Sequence, residues 1–303
     1  MDSRLNNCWF LEAKDAPIFV LLGRTGDSIA LFPAFREIQR RTGLRPRVIV
    51  STDYSNIYEG ITYAEPIPIA VNWWEGVPQA RAMAAALSAE CCVPQWWNDP
   101  CPIPPEYRGT FNLTCHGKSW GVNLALWSNY MASMWERCGF TQDEMMRLPL
   151  IFDRRNRERE AALFKQHTGV LRKPLLLYSF TGISSPFPYV PEVVNALHRE
   201  FSKDFAFLDI GRIQAHRIFD LLTFYDRAVG LIVSDSAPAH LAVASKVPTI
   251  WLTVNGWTGS TPRGNIALHV EYNDVPRRLP EILATVGKWR HTPVNAESRL
   301  QPV

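Results

Sequence analysis

The chain contains no apolar run approaching the roughly 18–20 residues that a membrane-crossing helix needs, so a helical span is not expected. Its first residues, MDSRLNNCWFLEAKDAP, carry acids and lack a basic stretch followed by an apolar one. A secretory signal is therefore not expected there, and the expected location is the cytoplasm. Cysteine is scarce: six in 303 residues, at Cys8, Cys91, Cys92, Cys101, Cys115 and Cys138, with no CxxC pair. That spacing argues against a disulfide framework and against a standard zinc pattern, the Cys115-His116 pair included, so no metal is expected. An excess of one charge is also missing, because a formal net charge of +3 does not argue for nucleic acid by itself. Its distribution says slightly more, since residues 1–150 hold 13 Lys+Arg against 15 Asp+Glu and residues 151–303 hold 19 against 14. A basic C-terminal half suits an anionic ligand such as a nucleotide diphosphate, and it equally suits a solvated basic face.

What is present is an ordinary globular composition, 47% apolar and 20% charged, in a length that suits two domains. Ile18–Leu22 is a short apolar run ending in glycine, as a buried parallel strand should. After the turn Gly23-Arg24-Thr25-Gly26, Asp27 stands at an expected helix N-cap. Ile29, Leu31, Phe32, Phe35 and Ile38 then recur at helical spacing. Val48–Val50 reads as the next strand, and Val77–Ser88 and Val122–Cys138 read as helices. Glu90–Trp120, rich in Pro, Trp and Cys, has no period and is expected to be a functional loop or lid. Arg154–His167 is charged and then amphipathic, and reads as an interdomain helix or linker. The pattern then restarts, with strands at Leu175–Ser179, Phe205–Asp209, Leu231–Val233 and Thr249–Leu252. Helices are expected between them at Pro191–Phe201, Phe219–Tyr225 and Ala237–Ala244. This alternation predicts an α/β protein of two facing Rossmann-like domains, residues 1–153 and 154–303, each a parallel sheet with helices on both faces.

Two segments carry polar residues just past the C-terminal ends of predicted strands, where open α/β sheets bind ligands. The first is Gly23-Arg24-Thr25-Gly26-Asp27-Ser28, followed by Pro33; Asp27 fits a catalytic carboxylate and also a plain N-cap. The second runs from Leu231 through Ser234-Asp235-Ser236-Ala237-Pro238-Ala239-His240. The amides and positive end of the helix expected there favour phosphate oxygens, Ser236 adds a hydroxyl, and His240 lies one turn in. His240 equally fits a satisfied core histidine.

Together the two segments resemble the ADP-heptose:lipopolysaccharide heptosyltransferases and their relatives, which have the GT-B fold. GRTGDSIALFPAF is similar to that family's G-D-x5-P signature, and VSDSAPAHLAVASKVPTIWL to its D-[ST]-[GA]-x-x-H-L-A-x-A-x-x-x-P segment, about 200 residues later. The likeness extends over residues 17–265. It implies an inverting, metal-independent glycosyltransferase with its active site between the two domains. Such an enzyme uses no cofactor, and takes a nucleotide diphosphate sugar as donor and a glycan hydroxyl as acceptor. It would be cytoplasmic, or peripheral at the inner membrane face. Asp27 matches the general base. Asp235, Ser236, Ala237 and His240 match the segment that holds the donor.

One departure is the loop Phe180–Pro186, which has no Lys or Arg where the family carries a basic residue. Hydroxyls of Thr181, Ser184 or Ser185 are the substitutes there. Arg263, in the loop that replaces a family F-G-P-T-like stretch, is the candidate for the missing charge. On the acceptor side the candidates are Arg24 and the run Arg36, Arg40, Arg41, Arg45 and Arg47, which also fits a solvated helix face. Trp73, Trp74, Trp96, Trp97, Trp120 and Trp127 offer faces that stack on sugars or bases, or fill a core. Two rival readings keep the fold: an acceptor that is a hydroxylated base in DNA, and a non-catalytic nucleotide-sugar binder.

Overall fold

A computed structural model describes residues 16–21, 24–70, 111–112, 130–182, 185–254 and 260–291. The expected helix Val77–Ser88, the Trp/Cys-rich stretch apart from Phe111 and Asn112, and the first part of Val122–Cys138 lie outside the described residues. The chain divides into two compact units, Met1–Arg154 and Arg155–Val303.

In the first unit, strands β1 (Ile18–Leu21), β2 (Arg47–Ser51), β3 (Glu65–Ile69) and β4 (Phe111–Asn112) form a parallel sheet in the order β3-β2-β1-β4. Strand β3 reads Glu-Pro-Ile-Pro-Ile, and its two prolines hid it from a propensity reading. Alternate prolines lose their N–H groups on one side of the strand, which an edge position tolerates. Helix α1 (Thr25–Thr42) buries Ile29, Leu31, Phe32, Phe35 and Ile38 as the spacing predicts. A 3-10 helix, Thr52–Gly60, and helices α2 (Tyr130–Arg137) and α3 (Gln142–Arg147) also belong to the described part of this unit. Trp135 of α2 is fully buried and donates its indole N–H to the Ala30 carbonyl at 3.1 Å. The end of the unit is stitched down by Tyr63, whose hydroxyl donates to the Ile151 carbonyl at 2.9 Å. Asp153 accepts from the Thr62 amide at 2.8 Å, and Phe152 sits edge-on to Phe32.

The second unit carries β5 (Leu175–Ser179), β6 (Ala206–Asp209), β7 (Gly230–Ser234), β8 (Thr249–Thr253) and β9 (Ile266–Glu271) in one parallel sheet of order β6-β5-β7-β8-β9. Its α-helices are α4 (Arg157–Thr168), α5 (Val190–Phe201), α6 (Leu222–Arg227), α7 (Ala237–Ala242) and α8 (Val275–Lys288). The segment read as an interdomain helix or linker forms the helix α4, capped by Asn156 and seated on α6. Its fully buried Glu160 accepts from the Thr223 hydroxyl at 2.7 Å and forms an ion pair with Arg155, while Phe164 meets Phe224 at 5.0 Å. The helix expected at Phe219–Tyr225 divides into a 3-10 turn, Ile218–Leu221, and α6. Strand β9 and helix α8 were not anticipated. In this strand order the chain leaves β5 for β6 on one side and returns to β7 on the other. The ends of β5 and β7 therefore flank the switch point where such sheets open a crevice.

Candidate functional site

In the first unit, the residue after β1's loop that caps α1 is Arg24, with extended backbone. Asp27 is the third helical residue rather than the N-cap expected from the sequence. Its Oδ2 accepts from the Arg24 amide at 2.6 Å, which satisfies an N-terminal donor and fixes the carboxylate's orientation. The helix begins three residues earlier than read, inside the Gly-Arg-Thr-Gly turn. Asp27 thus stands, partly exposed, at the carboxyl end of β1.

Two arginines of the run stand well away from Asp27 along the helix. Arg40 and Arg41 lie in the last turn of α1, roughly 20 Å along the helix from Asp27 at 1.5 Å per residue. Both hold Glu37: Arg40 donates from Nε and Nη2 at 2.7 Å, and Arg41 from Nε at 2.7 Å. The hydrogen bonds from Arg40, helped by Arg41 against the opposing effect of burial, hold the Glu37 carboxyl down to about 2. Arg41 also approaches Glu144 at 3.7 Å, and Arg45 pairs with Glu65 at 3.0 Å. Arg36, half-buried, lies on the same helix.

In the second unit the donor-side candidates assemble at the carboxyl ends of β5, β7, β8 and β9. After β5, the Ser179 and Thr181 hydroxyls meet at 3.2 Å. They do so against Gly211, where a Cβ would fall 2.6 Å from each oxygen, so only glycine leaves them room. Gly182 brings the same loop against the β7 turn, since a Cβ there would sit 3.0 Å from the Asp235 carbonyl. Ser184 lies outside the described residues. After β7, Asp235 is held at two points: its amide donates to the Tyr272 hydroxyl at 3.2 Å, and its Oδ2 accepts from the Ser260 amide at 3.3 Å. Ser260 to Arg263 thereby wrap the turn, and Gly264 abuts Val243 at the end of α7.

The turn offers fewer anion donors than its sequence suggests. Helix α7 has six residues, Pro238 has no N–H, and the amides of Ala239 and His240 both donate to the Ser236 carbonyl. Ser236 spends its hydroxyl proton on the Ser234 carbonyl at 3.0 Å. That leaves the Ser236 and Ala237 amides as those not engaged within the turn. His240 is buried, with its ring edge-on to Trp251 at 5.5 Å. Burial, with the charge of Arg263 beside it, pushes the imidazole down to about 4, so it is neutral at pH 7. Burial also pushes Arg263 down, to about 10, which leaves it cationic. The positive charge at this turn is therefore carried by Arg263, and His240 contributes none. Tyr272, which closes the turn from the end of β9, was not singled out in the sequence; a lone tyrosine 37 residues beyond Asp235 carries no local signal.

Among the described residues no group of His, Cys, Asp and Glu is arranged to hold a metal, and no helix is long and apolar enough to cross a membrane.

No family model matches the chain, and no curated protein matches it. Among solved structures, it is similar to a glycosyl transferase family 9 protein from Veillonella parvula, at 12% identity over 91% of each chain and a TM-score of 0.53. It is also similar to the ADP-heptose lipopolysaccharide heptosyltransferase II of E. coli, at 11% identity over 90% of this chain and 98% of that one, with a TM-score of 0.51. At such low identity the likeness concerns the backbone: this chain has the α/β fold of these two glycosyltransferases across nine-tenths of its length.

Proposed function

We propose that the protein is a glycosyltransferase that moves a sugar from a nucleotide diphosphate sugar to a hydroxyl of a glycan acceptor. The observation that carries this reading is the gathering of Thr181, Asp235, Ser236 and Arg263 at the carboxyl ends of adjacent strands, around a switch point, in a fold shared with glycosyltransferases. The first unit, with Asp27, serves the acceptor, and the second unit serves the donor.

In the proposed reaction the Asp27 carboxylate takes the proton of the acceptor hydroxyl as its oxygen attacks the anomeric carbon. The new carbon–oxygen bond forms on the face opposite the old one, so the configuration inverts. The bond from the anomeric carbon to the diphosphate breaks, and its electron pair departs on the phosphate oxygen. Arg263, the Ser236 and Ala237 amides and the Thr181 hydroxyl receive that charge, and no step requires a metal ion. Of the acceptor-side arginines, Arg40 and Arg41 pair with Glu37, Arg41 also approaches Glu144, and Arg45 pairs with Glu65.

The test is a panel of nucleotide diphosphate sugars, read first by thermal shift and then by release of nucleoside diphosphate with and without glycan acceptors. A donor at about 100 times its Kd should raise the melting temperature by on the order of 5 °C. No shift with any donor sinks the proposal. A shift without acceptor-dependent release points instead to a binding protein.

A further inference from the structure

One hydroxyl joins the donor-side turn to the Ser185 carbonyl. Tyr272 immediately follows β9 and is buried. Its O–H donates to the Ser185 carbonyl at 3.1 Å and accepts from the Asp235 amide at 3.2 Å. These two bonds join segments 87 and 37 residues away in sequence, one after β5 and one after β7. The same segments also meet at Gly182, where a Cβ would lie 2.8 Å from the Ser185 carbonyl and 3.0 Å from that of Asp235. The ring itself is fixed, edge-on to Phe187 at 5.1 Å, and Phe187 in turn meets Phe180 at 5.1 Å. Burial pushes the phenol up to about 12, so the hydroxyl keeps its proton across the working pH range and can donate and accept at once. Asp235 passes the constraint on, since its Oδ2 holds the Ser260 amide and hence the start of the segment that carries Arg263.

We infer that Tyr272 is a positioning residue: its hydroxyl sets the separation of the Thr181 loop from the Asp235–Ser236 turn, and so the width of the site that receives the diphosphate. The inference rests on the proposed donor function. Tyr272 touches no substrate in this scheme. It acts through Asp235, whose amide it removes from the set of anion donors and whose peptide plane it orients. An aromatic residue suits the task because two torsions place its hydroxyl, so little conformational freedom is left to blur the spacing.

Tyr272→Phe removes only the oxygen and keeps the ring packing. With ADP, UDP and GDP titrated separately by calorimetry, wild-type protein is expected to bind at least one. Tyr272→Phe should bind that nucleoside diphosphate about tenfold more weakly, the size of one lost positioning hydrogen bond, while the corresponding nucleoside loses less than about twofold. Phe187→Leu, which loosens the same aromatic cluster without touching the hydroxyl, should lower the melting temperature and leave diphosphate affinity within about twofold. Hydrogen exchange supplies a second measurement that needs no ligand, because the Asp235 amide should lose protection in Tyr272→Phe and keep it in Phe187→Leu. Failure of wild-type protein to bind any of the three diphosphates overturns the donor function itself. Binding by wild type that Tyr272→Phe matches overturns only the role of Tyr272. Equal losses of diphosphate affinity in Tyr272→Phe and Phe187→Leu reduce the tyrosine to a packing residue.

Discussion

The turn that follows β1 and the turn that follows β7 are built in opposite ways. Asp27 is held within its own helical turn, by an amide three residues back at 2.6 Å, at the start of an 18-residue helix. Asp235 is held by partners 25 and 37 residues away, ahead of a helix of only six residues. The bond from Arg24 to Asp27 is local to the helix start. The second turn has geometry only when β5, β8 and β9 are all in place. Under the proposed function, the base stands in the first arrangement and the diphosphate is received by the second.

The contrast is sharpest at Asp27. Asp27→Asn leaves an oxygen that still accepts from the Arg24 amide, so the helix start should survive with little change in melting temperature. Loss of the base should nevertheless lower kcat by ~10²–10⁴-fold with donor KM nearly unchanged. Steady-state kinetics beside a melting curve decides the matter: full activity in the folded variant would reduce Asp27 to a helix cap.

A smaller effect is expected at the second turn, through pH. Burial and the neighbouring Arg263 hold His240 at about 4 in the folded protein, against about 6.5 for an exposed histidine. Between those values the unfolded chain takes up a proton that the native protein refuses, so stability is present above about 6.5 and declines as pH falls toward 4. The slope should approach ~1 kcal/mol per pH unit in the middle of that window. His240→Asn should flatten the difference between denaturant midpoints measured at pH 6.5 and 5. An unchanged pH dependence would mean that His240 is protonated in the folded state.

The smallest effect is expected from charge reversal at Arg40 and Arg41. At roughly 20 Å from Asp27 these charges lie more than two screening lengths away in physiological salt. Acceptor KM should therefore change by less than about twofold in Arg40→Glu/Arg41→Glu. A large rise in acceptor KM with donor KM unchanged would restore the arginine run to the acceptor site. Salt-sensitive DNA binding lost in the same variant would instead revive the nucleic-acid reading.

Much of the architecture was legible because apolar periodicity is a local property. Leu175–Ser179 and the buried face of α1 follow it directly. Glu65–Ile69 escaped because its prolines argue against a strand until the neighbour on one side alone is known. The site was legible only as two segments. That Asp235 answers to Ser260 and Tyr272, and that Gly211 makes room for Ser179 and Thr181, depends on pairings with no sequence period to announce them.

The sequence by itself determined the alternation of strands and helices through Thr249–Leu252 in the second unit, the two polar segments at strand ends, and which residue types stand there. Tertiary structure decided which of those residues carry charge and where it can act. Histidine and arginine at positions 240 and 263 look like two cations on paper. Burial beside Arg263 makes His240 neutral and leaves the charge on the arginine. Arginines at 40, 41 and 45 look like an anion site, and the folded chain sets each against a glutamate. The physical reason is common to both cases: protonation and ion pairing depend on the solvent and partners within a few ångströms, and those neighbours are assembled only by folding.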